Sequence, residues 1–319
     1  MIRQPGLVSL LLSSLLLMHE REMRERRMPY ALVLHCVPAE GKLNRQDVQG
    51  QKALALFLQE LIEKQDASLA ARLHAPRNYK PFTTTILPRK ETQTPEAVCL
   101  RLTILDDTLY PVLSRFFLQR LGNVPRLRLG QTELLVSHVL VTPESDEPWA
   151  GFASFDALLA NASEDETSWG ITFATPTTFR TGNAEIPLPI PRLCFQSWLN
   201  SWDEHAPQPF FSDKDTRRAF LFEVVEPHVS VSYDQLRLVR QHLYFDGVRT
   251  GEQGFMGTCR FWLKSSQVAP PYRKILSALA SYSFYAGTGR KTTMGMGMSR
   301  RLEERGRGNG RSTTVLRGR

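Results

Sequence analysis

Apolar positions along the chain change their spacing several times, and each change predicts an element. The run YALVLHCV, from Tyr30, is aliphatic and β-branched almost throughout and predicts a strand, with a polar loop after it. Leu54, Phe57, Leu58, Leu61 and Ile62 then recur at i, i+3, i+4, i+7 and i+8, which places all five on one helical face. SLAARLH extends the helical pattern to His74, KPFTTTIL and AVCLRLTIL read as strands, and LYPVLSRFFLQRLG reads as a helix closed by Gly122. PRLRLGQTELLVSHVLV completes this half as a strand pair, so the elements run β-α-β-β-α-β.

The alternation repeats further on. WGITFATPTTFR predicts a strand, CFQSWLNSWDEH a helix, EPHVSVSYDQLRLVRQHLYF several strands and GFMGTCRFWLK one more. In PPYRKILSALASYSFY the prolines suit a first helical turn, and Tyr272, Ile275, Leu276 and Leu279 form an apolar stripe. GMGMSRRL reads as the last strand. Between the halves, PESDEPWAGFASFDALLANASEDETS is acidic and rich in turn residues and reads as a linker. The expected layout is a leader or mis-assigned start (1–27), a first domain (28–145), a linker (146–168), a second domain (169–302) and a basic, disordered tail (303–319). LVSLLLSSLLLM, Leu7 to Met18, is apolar but too short to span a bilayer, so Met28 is the expected functional start unless residues 1–27 are an appended helix.

Composition narrows the class. The 319 residues carry 40 Lys and Arg against 32 Asp and Glu, a net +8 that favours an anionic partner. The four cysteines are far apart, each in an apolar setting, and read as buried free thiols of a reducing, cytoplasmic protein. No Cys/His spacing or carboxylate cluster suggests a metal site, so neither metal nor cofactor is expected, and no membrane partner.

Candidate chemistry concentrates in two places. YAGTGRKTTMGMGMSRR holds Gly287, Gly289, Gly295 and Gly297, with Arg290 and Lys291 between the pairs. A helix precedes the glycines, so the dinucleotide cradle is excluded, and Lys291 does not follow a glycine, so the phosphate-loop pattern of nucleotide hydrolases fails as well. Two readings remain open: amide N–H groups presented to a phosphodiester chain beside two cations, or a glycine turn that permits close packing. The second place is HAPRNYK, which puts His74 at the end of a helical segment, six positions before Lys80 and close to Tyr79. A surface or capping side chain is the other account of His74, and Tyr79 could equally stack on a base or pack on the strand. Arg89, Lys90 and Arg180 are candidate RNA contacts or solvated cations.

These motifs together resemble the CRISPR precursor-RNA processing endoribonucleases of the RAMP superfamily. Gly287, Gly289, Gly295, Gly297 and Met298 match the family's terminal G-x-G-x-x-x-x-x-G-x-G-M loop. ARLHAPRNYKPFTTTIL resembles its segment with a histidine after the first helix, ITFATPTTFR its T-P-x-x-F motif, and GFMGTCRF its penultimate G-F-x-G strand. The resemblance covers roughly residues 28–300. It implies an α+β protein of two tandem ferredoxin-like domains with a basic cleft between them. It also implies metal-independent cutting of precursor CRISPR RNA within the repeats, leaving 2′,3′-cyclic phosphate and 5′-hydroxyl ends. His74 would be general acid or base, Lys80 an electrostatic stabiliser and Tyr79 a third participant, because the first helix lacks the tyrosine some members carry there. RNA would be bound by the four loop glycines, Arg290, Lys291, Arg89, Lys90 and Arg180. Repeat RNA is the expected partner of a monomer or homodimer, with other effector-complex subunits as further partners. Rival readings are a catalytically silent repeat-RNA binding subunit and a general RNA-binding scaffold.

Overall fold

The computed structural model describes residues 27–44, 46–76, 79–87, 97–118, 123–142, 147–245, 248–264 and 267–302. The readings for residues 1–26 and 303–319 lie outside these described residues. The first domain opens with β1 (Tyr30–Pro38), followed by α1 (Gly50–Ala55), which runs on as a wider π-helical stretch (Leu56–Glu63), and α2 (Ala67–His74). Next come β2 (Phe82–Ile86), β3 (Val98–Ile104), α3 (Tyr110–Leu118) and the hairpin β4 (Arg126–Leu129) and β5 (Thr132–Leu140). These strands form an antiparallel sheet in the order β2-β3-β1-β5-β4. That is the ferredoxin-like arrangement with β5 as its fourth strand and β4 added at the edge.

Strand β1 explains its own composition. Tyr30, Leu32, Leu34 and Cys36 pack on the helices with Phe57, Leu61, Ile62, Leu113 and Phe116, while Val33 on the opposite face meets Leu87, Cys99 and Met298. A strand covered on both faces needs no polar alternation, and β1 shows none.

The second domain comprises β7 (Ser168–Thr177), the small hairpin β8 (Phe179–Thr181) and β9 (Ala184–Ile186), and α5 (Pro191–His205). Then follow α6 (Lys214–Ala219), extended by a π-helical stretch (Phe220–Val225), and the strands β10 (Val229–Phe245) and β11 (Val248–Leu263). It ends with α7 (Pro270–Ala286) and β12 (Ser299–Arg301). The sheet order β10-β11-β7-β12 repeats the plan of the first domain. Trp169, Ile171 and Phe173 of β7 pack against Phe195, Trp198 and Leu199 of α5 and Leu276, Leu279 and Tyr282 of α7. The several strands expected between Glu226 and Phe245 are one strand of 17 residues, which absorbs an irregularity between Tyr233 and Gln235 and forms a long hairpin with β11.

The stretch with linker composition carries structure. Gly151 and Phe152 form β6, which pairs with β1, and Phe155–Ala160 form α4. Ser154 caps α4 by accepting from the Ala157 N–H at 2.9 Å, and Phe155 and Leu158 enter the second core. Asp156, Glu164 and Asp165 are exposed around these anchors, whereas Glu147 is buried beside His35, so composition misrepresents the segment. Across the junction, the buried Arg101 of β3 donates from Nε to Trp149 O at 2.8 Å and from Nη2 to Phe284 O of α7 at 2.6 Å. Its guanidinium lies 4.5 Å from the Phe284 ring centre, and burial pushes its pKa down to about 9, still charged at neutral pH. All four cysteines are free and buried. Among the described residues no helix is long and apolar enough to cross a membrane.

Candidate active site

Helix α2 delivers His74. Asp66 caps its start by accepting from the Leu69 N–H at 2.9 Å, which holds the Asp66 carboxyl below the usual carboxylate range with further help from Ser68. Leu69, Ala70 and Leu73 are buried, so the helix presents its final residue, His74, to solvent. The chain then turns back, and the Lys80 ammonium donates to Leu73 O at 2.6 Å, to His74 O at 3.3 Å and to Ala75 O. A cation on these terminal carbonyls suits the negative end of the helix dipole. Lys80 is therefore a clamp on the main chain carrying His74.

Tyr79 reaches the other domain. Its hydroxyl accepts from Asn200 Nδ2 of α5, the Asn200 Oδ1 accepts from Arg217 Nη2 of α6, and Arg217 Nε pairs with Asp203 Oδ2 at 2.8 Å. Burial raises the Tyr79 hydroxyl above the usual tyrosine range, with Asn200 and Arg217 opposing it.

The same helix holds the glycine stretch. Ser197 Oγ accepts from Gly289 N at 2.9 Å, and Trp198 Nε1 donates to Thr288 Oγ1 at 2.8 Å. The loop amides meet protein acceptors: Gly287 N to Ser283 O at 3.0 Å, Arg290 N to Thr178 O at 3.0 Å, Gly295 N to Thr84 O at 2.9 Å and Gly297 N to Pro176 O at 2.9 Å. Thr84 Oγ1 and Thr85 Oγ1 of β2 donate to Thr293 O and Gly295 O at 2.7 and 3.2 Å. The open amide cradle is thus corrected: all four glycine N–H groups are engaged inside the protein. Close packing of backbone on backbone is what the glycines permit. Gly289 and Gly297 have φ of +79° and +71°, and a Cβ would stand 2.3 Å from Thr178 O and 2.1 Å from Thr288 O.

The loop cations have acidic neighbours. Lys291, the one non-glycine residue of positive φ (58°) among the described residues, pairs with Glu252 of β11, and Arg290 Nη1 lies 3.5 Å from Glu185 of β9. A hydrogen bond shared with Glu252, then burial, pushes the Glu185 carboxyl up. Burial also opposes ionisation of Glu252, but Lys291 and Glu185 outweigh it and hold that carboxyl below the usual range. Arg180 is exposed on the β8–β9 hairpin, its Nε donating to Gly182 O at 3.1 Å. Arg89 and Lys90 lie outside the described residues.

One turn of α5 therefore joins both candidate regions, because Ser197 and Asn200, three positions apart, are neighbours on a helix face. Sequence reasoning overlooked this turn. Its only signal is a polar stripe, Ser197, Asn200 and Glu204, which has the look of an ordinary solvated face.

The model of the CRISPR Cas6 N-terminal domain matches residues 28–160, and that of CRISPR-associated endoribonuclease Cas6 matches residues 171–299. A CRISPR-associated endoribonuclease Cas6 of Streptococcus thermophilus is 26% identical over 263 residues, which is 82% of this chain and 96% of the other. A Cas6 product complex superposes with a TM-score of 0.71 at 30% identity, covering 86% of this chain and 100% of the other. A Thermus thermophilus Cas6 gives 0.65 at 29% identity, with coverages of 86% and 98%.

Proposed function

The chain belongs to the CRISPR-associated endoribonuclease Cas6 family, and from that membership we propose that it cuts precursor CRISPR RNA once within each repeat, without a metal ion. The observation that carries the reading is the α5 turn Ser197–Asn200, which holds the loop after His74 through Tyr79 and the glycine loop through Gly289. A helix-end histidine and a basic loop are thereby anchored to one rigid element, as a preorganised site requires.

In this reading the RNA supplies its own nucleophile. The 2′-hydroxyl attacks the adjacent phosphorus, the P–O5′ bond breaks, and the fragments end in a 2′,3′-cyclic phosphate and a 5′-hydroxyl. His74 takes or returns a proton, a task suited to a side chain whose ordinary pKa lies near neutrality. Lys80 fixes the His74 main chain and adds positive charge at the edge of the site. Tyr79 is the third participant. Arg290 and Lys291 exchange Glu185 and Glu252 for RNA phosphates, and Arg180, Arg89 and Lys90 are further RNA contacts in this reading.

The test is incubation with end-labelled RNA containing the neighbouring repeat, in EDTA, followed by analysis of fragment termini. One cut per repeat ending in a cyclic phosphate is expected. Cutting that depends on a divalent ion, or 3′-hydroxyl ends, would overturn the mechanism, and tight binding without cutting would favour a silent repeat-RNA binding subunit.

A further inference from the structure

We infer that Asn200 and Arg217 are positioning residues that make the Tyr79 hydroxyl a hydrogen-bond donor at the cleavage site, an assignment that rests on the endoribonuclease reading. The inference follows from donor and acceptor chemistry along one chain of contacts. A guanidinium carries only donors, so the atom of the Asn200 amide that meets Arg217 Nη2 must be the oxygen. This fixes which way the amide is turned. Its nitrogen then faces Tyr79, and an amide nitrogen can only donate, so the phenolic oxygen accepts. The single hydrogen on that oxygen is consequently left to point elsewhere.

Arg217 is held in its turn, with Nε on Asp203 Oδ2 at 2.8 Å. The orientation of the Tyr79 hydroxyl is thus set from α6 through α5, in the domain that does not contain Tyr79. A donor fixed in this way suits a phosphoryl oxygen that gains charge, or the departing 5′-oxygen. Had Asn200 been an aspartate, its carboxylate could only accept, the Tyr79 O–H would turn inward, and the donor would be lost.

That substitution is the test. Asn200→Asp keeps the size of the side chain and still faces Arg217, so it is compatible with folding. Single-turnover cleavage is measured for the wild type, Asn200→Asp, Tyr79→Phe and the double variant, alongside RNA affinity. The expected result is a rate about a hundredfold lower for each single variant with affinity unchanged, and a double variant no slower than either. A double variant slower by the product of the two effects would show that Asn200 acts independently of Tyr79 and would overturn the assignment, as would wild-type cutting by Asn200→Asp.

A second readout does not depend on turnover. In protein carrying 13C at the tyrosine ζ position, with the resonance identified by its loss in Tyr79→Phe, Asn200→Asp should move the Tyr79 titration to higher pH; Arg217 and Glu204 are the other charges acting on it. An unmoved titration would overturn the assignment. Wild type that cuts normally while Asn200→Asp has no effect removes only this inference, whereas wild type that never cuts removes the endoribonuclease reading and the inference with it.

Discussion

From Gly287 to Gly297 the backbone donates into α5, β2 and the β7–β8 junction, and glycine is required where a Cβ would overlap a carbonyl oxygen of Thr178 or Thr288. Among the described residues from His74 to Lys80 stand a lysine clamp on three carbonyls, a tyrosine reaching across to Asn200, and an exposed histidine. The conspicuous motif is therefore largely a demand of folding, while the inconspicuous loop carries the histidine proposed as the acid–base group. A side chain that must meet substrate stays exposed and adds little to stability, so its surroundings leave a weak imprint on the sequence.

This contrast can be broken by substitutions that separate stability from cleavage. The largest effect on the fold is expected for Gly297→Ala, where positive φ and the approach of Thr288 O combine to cost about 3 kcal/mol, read from the denaturant midpoint. A loss below about 0.5 kcal/mol would show that the loop relaxes and that packing is not what its glycines serve. Next in size is Lys291→Ala, made in a Glu252→Gln background so that no buried carboxylate loses its ammonium. It should flatten the dependence of RNA affinity on salt by about 0.7 log unit per decade for one lost phosphate contact; an unchanged slope would leave Lys291 as Glu252's partner alone.

The smallest effect sharpens the other side. The Asp66 carboxyl is held below its ordinary range by the Leu69 amide and Ser68, so its capping contribution is complete above the ordinary aspartate pKa and is lost as pH falls through the lower folded value. Asp66→Asn caps without titrating. The stability of the wild type should therefore decline relative to Asp66→Asn as pH drops through that window, and parallel curves would show that the α2 cap carries no such linkage.

The fold was legible because hydrophobic spacing is a direct consequence of burial. Leu54 through Ile62 mark the helix face, and the uninterrupted YALVLHCV marks a strand covered on both sides. The built connection was not legible, because Phe155 and Leu158 are two apolar anchors in an acidic stretch. Strand β10 read as several strands because Ser232, Asp234, Arg237 and Arg240 project from an exposed ribbon without a regular apolar partner face. In the site, glycine spacing reports backbone freedom but not which acceptors the amides find. Asn200 and Arg217 belong to different helices, so nothing in local sequence announces that they meet.

His74→Ala tests the proposed acid–base role most directly, with unfolding and repeat-RNA cleavage measured on the same preparation. A stability within about 0.5 kcal/mol of wild type, together with a cleavage rate lower by about 100- to 10,000-fold, is the expected result. Cleavage at the wild-type rate by the folded variant would contradict it, and would return His74 to the status of a helix-end surface residue.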